Sequence, residues 1–132
     1  MKVVGNKVAA RFLPVNEQED LLTFAEENKD LIQSEFDREG LVLFRGFGPL
    51  NSTRFAELAK LFCEDIELEY GDLDSGDGEA GVYQSTAYPR ELPIHLHNEA
   101  ACSPEVPLML FFHCEEPALQ GGATKILDSR KC

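Results

Sequence analysis

Basic residues are scarce in this sequence. Lysine and arginine total 12 against 24 aspartate and glutamate residues, so the formal net charge is -12. Binding to nucleic acid or to an anionic membrane surface depends on clustered positive charge. The composition therefore argues against both kinds of partner.

Long apolar runs and paired cysteines are also missing. No run of about 18 apolar residues exists, so the sequence predicts no membrane-spanning helix. The opening stretch, MKVVGNKVAARF, lacks the apolar core of a signal peptide. No C-x-x-C pair occurs among the four cysteines, which argues against a zinc site and favours reduced thiols in a cytoplasmic protein over a disulfide framework. They are Cys63, Cys102, Cys114 and Cys132.

What the sequence does contain is enough apolar surface for a core. At 132 residues and 43% apolar composition, it predicts one domain or a piece of one. Helical patterns precede strand patterns, which favours an α+β fold whose strands belong to a sheet sandwich or barrel. We expect a helical scaffold with one buried strand over residues 1–63, an acidic loop over 64–80, and strands over 81–132.

The N-terminal scaffold begins with a segment, residues 1–15, predicted to be irregular or a short edge strand. Asn16 and Glu19 then have capping-box spacing. Apolar residues at helical spacing predict a helix that continues to Glu39. Gly40, which tolerates positive φ, is expected to end it.

Two further elements complete the scaffold. The continuous apolar run over residues 41–44 predicts a buried strand. Asn51 or Ser52 is expected to cap a second helix. Four apolar residues of that helix recur at i, i+3, i+4 and i+7, which predicts a core-facing stripe: Phe55, Leu58, Ala59 and Phe62.

The acidic loop has eight carboxylates and no basic residue over residues 64–79. Counting from Asp72, an EF-hand needs glycine at its sixth position and glutamate at its twelfth, where this chain has Asp77 and Tyr83. The pattern therefore predicts a solvated loop, placed where it could act as a lid. The strands expected after it are Val82–Ser85, Pro93–His97, Val106–Cys114 and Ala123–Leu127, separated by turn residues.

His97 and Glu99 are the strongest candidates for chemistry. Residues i and i+2 of a strand share one face about 6.6 Å apart, so these side chains can converge on one ion. Two histidines and a carboxylate form the facial arrangement of non-haem Fe(II) oxygenases. Alone the pair is weak evidence, because 24 of 132 residues are acidic and a surface pair at a strand end is equally expected. We expect His95 to be a hydrogen-bonded neighbour and His113 a satisfied core histidine.

Four ordered segments change this assessment: LVLFRGFGP (41–49), YQSTAYP (83–89), LHNEAACSPEVPLMLFFHC (96–114) and PALQGGATKILDSR (117–130). In this order and spacing they resemble the taurine dioxygenase-like (TauD/TfdA) family of Fe(II)- and 2-oxoglutarate-dependent oxygenases. The nearest subgroup writes the metal motif as His-x-Glu, as clavaminate synthase-like members do. The resemblance implies a partial double-stranded β-helix, or jelly roll, with N-terminal helices packed on the sheet.

The resemblance also implies roles for individual residues. His97 and Glu99 would be the first two iron ligands. Thr124, 25 residues after Glu99, would contact a 2-oxoglutarate carboxylate, although a β-branched residue chosen for strand packing remains the alternative. The glycines before it suit a turn on either interpretation. The expected pocket for a small, amino-acid-like or carboxylate substrate would include Gln84, Ser85, Thr86 and Asn98.

The family's second metal histidine and its 2-oxoglutarate-binding arginine lie well beyond residue 132, and the three histidines here leave none for that role. The resemblance therefore implies the N-terminal part of an oxygenase domain, truncated and inactive alone. Leu108–Phe112 would lack its covering strands, and we expect self-association through this uncovered sheet. Because Glu99 occupies the position that halogenating members leave open, the implied reaction is hydroxylation or desaturation.

Two alternatives stay open. One is a non-catalytic remnant that serves as an interaction or regulatory module, distinguished by the absence of a downstream histidine and arginine in the gene product. The other is an acidic metal-binding module, distinguished by loss of metal binding on replacing Asp72 and Asp74 but not His97.

Overall fold

The computed structural model describes residues 2–6, 9–16, 18–66, 81–83, 89, 92–99, 101, 104 and 106–128. Its helices and strands follow in the order β1 (Lys2–Asn6), β2 (Ala9–Leu13), α1 (Leu21–Glu27), α2 (Lys29–Glu39), β3 (Val42–Phe44) and α3 (Ser52–Lys60).

The three strands form one sheet in the order β1-β2-β3. β1 runs antiparallel to β2, with Lys2 opposite Leu13. β3 runs parallel to β2, with Phe12 opposite Phe44, and α1 and α2 provide the crossover that a parallel pair needs. The prediction of irregular structure or an edge strand over residues 1–15 is therefore wrong for β2, which bonds on both sides and is the central strand.

The start of the first helix differs from the prediction. Asp20, not Asn16, is the N-cap, and its Oδ1 accepts a hydrogen bond from the Thr23 amide at 3.0 Å. Asn16 instead accepts from the Gln18 amide at 3.0 Å, and Glu19 accepts from the Val15 amide at 2.6 Å. The predicted capping residues therefore close a turn ahead of the helix, which is the local bonding by which Asn competes with helix formation.

The single helix expected up to Glu39 is in fact two. Asn28 leaves helical geometry at φ -119° and ψ 20°. Both its backbone N–H and its side-chain amide donate to the Phe24 carbonyl, at 3.1 and 2.8 Å. These two hydrogen bonds to one carbonyl oxygen mark the end of α1 at Asn28, and α2 begins at the next residue. Gly40 ends α2 at φ 74°, as predicted.

The third helix begins as predicted. Asn51 caps α3, because its Oδ1 accepts from the Arg54 amide at 2.9 Å. The Arg54 guanidinium reaches back to Asp20, with Nη2 and Oδ1 2.6 Å apart, and so links the starts of α1 and α3. The hydrogen bond from the Thr23 backbone N–H lowers the pKa of Asp20 despite partial desolvation. The Thr23 hydroxyl and the positive charge of Arg54 lower it further.

The core lies between the sheet and the helices. Phe12 is fully buried, with its ring stacked on Phe44 at 5.7 Å and edge-on to Phe24 at 6.0 Å. The predicted stripe is confirmed, because Leu58 and Ala59 are buried and Phe55 and Phe62 pack, partly buried, against the core. The strand over 42–44 is confirmed, but its residues are half-buried rather than buried. The buried cluster comprises Ala10, Phe12, Leu21, Phe24, Ala25, Ile32, Leu50 and Leu58.

The predicted C-terminal strands do not form in the part of the chain that the structure describes. Residues 93–97, 106–114 and 123–127 are outside any strand, and so are 82 and 83. A strand needs hydrogen bonds from a neighbouring strand, which a short segment between turn residues cannot supply by itself. Helices and a mixed sheet confirm the α+β class, but the jelly roll stays a prediction.

Two earlier expectations concern other parts of the chain. Residues 67–80, most of the acidic loop, lie outside the described residues. Of the helices that are described, none is both long and apolar enough to cross a membrane.

Candidate metal centre

His97 and Glu99 converge at the end of an irregular segment, residues 92–99. His97 Nε2 lies 3.6 Å from Glu99 Oε1. The backbone turns at Glu99 rather than continuing as a strand. A turn therefore produces the convergence that a shared strand face was expected to produce.

The ring of His97 has a second polar contact on its opposite side. Its Nδ1 lies 2.8 Å from the backbone carbonyl oxygen of His95. The expectation that His95 is a hydrogen-bonded neighbour therefore holds for its main chain. Residue types carry no signal for a backbone contact, so the sequence could not identify this one.

The pair has the chemistry of a partial site for a divalent metal. It offers one imidazole nitrogen and one carboxylate oxygen, donors that suit first-row metals. Two metal–ligand bonds of about 2.1 Å at the right angle of a facial pair place the donor atoms about 3.0 Å apart. The observed separation is 3.6 Å, so the two side chains would approach each other slightly on binding an ion. Among the described residues, no three His, Cys, Asp or Glu side chains group together around an ion.

Both side chains reach solvent. The side chain of His97 is 57% exposed and that of Glu99 is 32% exposed. A metal, a cosubstrate or water can therefore approach the pair directly. The charge of Glu99 is less costly here than in a buried site, because water still solvates it.

The segment after the pair makes one contact with α3 and one with Cys63, which follows the end of that helix. Met109 Sδ lies 3.7 Å from Cys63 Sγ, and the His113 ring lies 5.4 Å from the Phe55 ring. The expectation of a core position for His113 is wrong, because its ring is only half-buried at the surface of α3. Burial raises the pKa of the Cys63 thiol. Sequence analysis assigned Phe55 to core packing and missed this contact.

Burial alternates along the same segment. Met109, Phe111 and His113 are half-buried, whereas the intervening side chains are exposed. We call these exposed side chains the apolar face: Leu108 at 96%, Leu110 at 49% and Phe112 at 72%. Burial therefore alternates with a period of two residues along this segment, although no strand forms.

Before Thr124 the chain bends at Leu119 and Gln120, and the two glycines that follow have positive φ. Gly121 and Gly122 have φ of 76° and 72°, a region that favours glycine. A Cβ on Gly122 would lie 2.7 Å from the Cβ of Ala118, so this backbone path also requires a residue without a side chain at position 122. Thr124 is exposed beyond the two glycines, and its contact with 2-oxoglutarate stays a prediction.

The remaining predicted pocket residues divide into two groups. Asn98 is exposed between the two candidate ligands. Gln84, Ser85 and Thr86 lie outside the described residues. Their roles in substrate binding stay predictions.

Comparison with known proteins places this geometry in context. The family model described as "Taurine catabolism dioxygenase TauD, TfdA family" matches residues 8–132. The dapdiamide synthesis protein DdaC of Enterobacter agglomerans is 34% identical over 110 residues, which cover 82% of this chain and 32% of that protein. The chain therefore spans about a third of the length of this curated relative. No solved structure matches the chain.

Proposed function

The chain belongs to the TauD/TfdA family, and from this premise we propose that His97 and Glu99 are the first two iron ligands of an Fe(II)- and 2-oxoglutarate-dependent dioxygenase. Members of this family are oxygenases that use Fe(II) and 2-oxoglutarate. The substrate we propose is a small molecule, with amino-acid-like compounds as the first class to test.

The observation that supports the proposal best is the 3.6 Å approach of His97 Nε2 to Glu99 Oε1. Both residues fall inside the matched region. A neutral nitrogen and an anionic oxygen leave most positions of a six-coordinate ion for other ligands. A dioxygenase needs such open positions for its cosubstrate and for O₂.

The residues of the chain have distinct proposed tasks. His97 and Glu99 hold the metal, and the Glu99 carboxylate offsets part of its charge. Thr124 donates its hydroxyl hydrogen to a carboxylate oxygen of 2-oxoglutarate. Iron, when bound, would supply the oxidising chemistry by which 2-oxoglutarate and O₂ give succinate and CO₂. In hydroxylation one oxygen atom of O₂ enters succinate and the second enters the substrate. Asn98, Gln84, Ser85 and Thr86 are proposed to orient that substrate.

The identity of residue 99 bears on the type of reaction. A chlorinating enzyme of this family needs an open metal position for chloride where others have a carboxylate. Glu99 fills that position, so we propose hydroxylation or desaturation rather than chlorination. Chlorinated product from an enzyme with Glu99 intact would contradict this part of the proposal.

DdaC is named as a synthesis protein, and we propose a comparable role in making or modifying a small compound.

The proposed location and partners are based on composition. The free thiols of Cys63 and Cys114 suit the reducing cytoplasm that we propose as the location. With a net charge of -12, nucleic acid is not among the proposed partners. Self-association through the apolar face is.

The test is succinate formation from 2-oxoglutarate with Fe(II), ascorbate and candidate substrates, using the longest gene product that includes this sequence. We expect turnover that His97→Ala abolishes and that His113→Gln, a histidine change away from the pair, preserves. The 132-residue chain alone is expected to stay at background, because two ligands hold an ion more weakly than three. Turnover unaffected by His97→Ala would contradict the proposal.

A further inference from the structure

The two nitrogens of the His97 ring face two different acceptors. Nδ1 faces the carbonyl oxygen of His95 at 2.8 Å, and Nε2 faces the Glu99 carboxylate at 3.6 Å. A neutral imidazole carries a single proton, so only one nitrogen can donate while the other keeps its lone pair. The question is which acceptor receives that proton.

The distances decide between the two tautomers. A separation of 2.8 Å is a normal hydrogen bond, whereas 3.6 Å is too long for one. With the proton on Nε2, the lone pair of Nδ1 would face the lone pairs of the His95 carbonyl. That arrangement loses a hydrogen bond and sets two acceptors against each other. The Nδ1–H form keeps that hydrogen bond, and its Nε2 lone pair faces the Glu99 carboxylate only across the longer 3.6 Å separation, where the repulsion between acceptors is weaker.

We infer that the main-chain carbonyl of His95 holds neutral His97 as the Nδ1–H tautomer and so keeps the Nε2 lone pair available on the side of Glu99. A hydrogen bond made by one ring nitrogen commonly sets the state of the other in metal-binding histidines. His95 is therefore a positioning residue that acts through its backbone. The use of this lone pair by a metal rests on the proposed function, but the tautomer itself does not.

The acceptor is a backbone atom, so the side chain at position 95 is not what matters. Backbone freedom at the intervening residue, Leu96, is the feature to change. Leu96 is 61% exposed, and its side chain is not part of the proposed site. Glycine at this position widens the accessible φ and ψ range and weakens the hold of the carbonyl, whereas alanine removes the same side chain without that freedom.

The tautomer can be measured directly on the metal-free chain. The experiment is long-range ¹H–¹⁵N NMR with ring-labelled histidine at about pH 8.5, well above the ordinary imidazole pKa of ~6.5. His95→Gln and His113→Gln variants identify the His97 signals. We expect His97 to show a protonated Nδ1 and an unprotonated Nε2, the opposite of the form that histidine favours in water. Nε2–H as the main form of His97 would overturn the inference.

Two variants test the cause. In Leu96→Gly, His97 should shift toward the tautomer mixture of free histidine, while Leu96→Ala should keep the wild-type pattern. Equal tautomer populations in wild type and Leu96→Gly would show that the carbonyl does not set the tautomer and would overturn the inference.

Adding Zn(II), a redox-inert substitute for Fe(II), separates this inference from the proposed function. A shift of the His97 Nε2 signal supports the metal role, with affinity lowered by about 10-fold in Leu96→Gly, as for other outer partners of a ligand. An Nδ1–H tautomer with no Zn(II) response would uphold the inference on the tautomer and contradict the proposed metal role.

Discussion

The two described halves of the molecule differ in how they bury apolar residues. Among the described residues, the ten buried hydrophobic ones all lie between Ala10 and Ala59. In the same described part of the chain, eleven large hydrophobic residues are exposed, and all of these except Val15 lie between Leu92 and Leu127. The first half thus forms helices, a sheet and a core, whereas the candidate metal centre lies in irregular chain.

The difference follows from where backbone hydrogen bonds come from. Helices satisfy most of their backbone groups within one segment, and caps such as Asp20 and Asn51 satisfy some of the rest. Extended chain needs partners from elsewhere. The turn at Glu99 and the His95 carbonyl position the site through local contacts. Met109 at Cys63 and His113 at Phe55 hold the following segment through contacts between distant parts of the sequence.

The largest expected effect breaks the core of the first half. Phe12→Ala removes a fully buried ring and should lower the free energy of unfolding by about 3–5 kcal/mol. Phe112→Ala is the matched control, because that ring is 72% exposed and should cost less than about 0.5 kcal/mol. Urea denaturation followed by circular dichroism measures both. Similar losses in the two variants would contradict the contrast between the halves.

The next effect concerns the apolar face of the second half. We expect the chain to self-associate, since contiguous exposed apolar side chains favour contacts between molecules. Replacing both Leu108 and Phe112 with serine should weaken association by about 10-fold, which corresponds to about 1.4 kcal/mol. Sedimentation velocity over a range of concentrations measures this. Val15→Ser, an exposed apolar residue of the first half, should leave association unchanged, and an equal effect there would refute the assignment.

A smaller effect tests the first helix cap. Asp20→Ala should cost about 1 kcal/mol of unfolding free energy through loss of the cap, whereas Asp65→Ala removes the same charge outside any helix and should cost little. The pKa of Asp20 is lowered in the folded chain. Its contribution is therefore present above the ordinary aspartate pKa and disappears as pH falls through the lowered value. Thermal melts of both variants from neutral to acidic pH check this, and a pH-independent difference would contradict it.

The smallest effect sharpens the boundary between the halves. Phe55→Ala removes the ring that contacts His113, which should loosen the segment over Cys63 and raise its alkylation rate several-fold. Cys114, which is already exposed, should react at an unchanged rate. His113→Phe keeps an aromatic contact and should protect Cys63 as well as the wild type does. Peptide mapping by mass spectrometry gives the rates, and no change at Cys63 in Phe55→Ala would contradict the anchoring role.

The predictability of each feature depends on how local its cause is. Gly40 and Asn51 were assigned from sequence because helix ends are determined by neighbouring residues. The break at Asn28 was not, because a side chain bonding to the Phe24 carbonyl competes with a pattern that looks continuous. Strand pairing was the hardest feature to predict from sequence, because the central position of β2 depends on pairing with β3, which lies far along the chain.

The candidate site shows the same division. The His97–Glu99 spacing indicated convergence, although a turn rather than a strand produces it. The contact of His97 with the His95 carbonyl has no counterpart in residue type. His113 packs on Phe55 although the two residues are far apart in sequence. The sequence alone predicted each of them to be a core residue, so it gave no sign of this contact.

The central claim is that His97 and Glu99 together hold a divalent metal. The most direct test is isothermal titration calorimetry, in which Fe(II) is added to the chain under anaerobic conditions. Binding should be weakened at least about 10-fold by His97→Ala and by Glu99→Ala, and be unchanged by His113→Gln. It should also be unchanged when Asp72 and Asp74 of the acidic loop are both replaced with asparagine. Binding that survives loss of His97 but disappears with Asp72 and Asp74 would contradict the claim and assign the metal to the acidic loop.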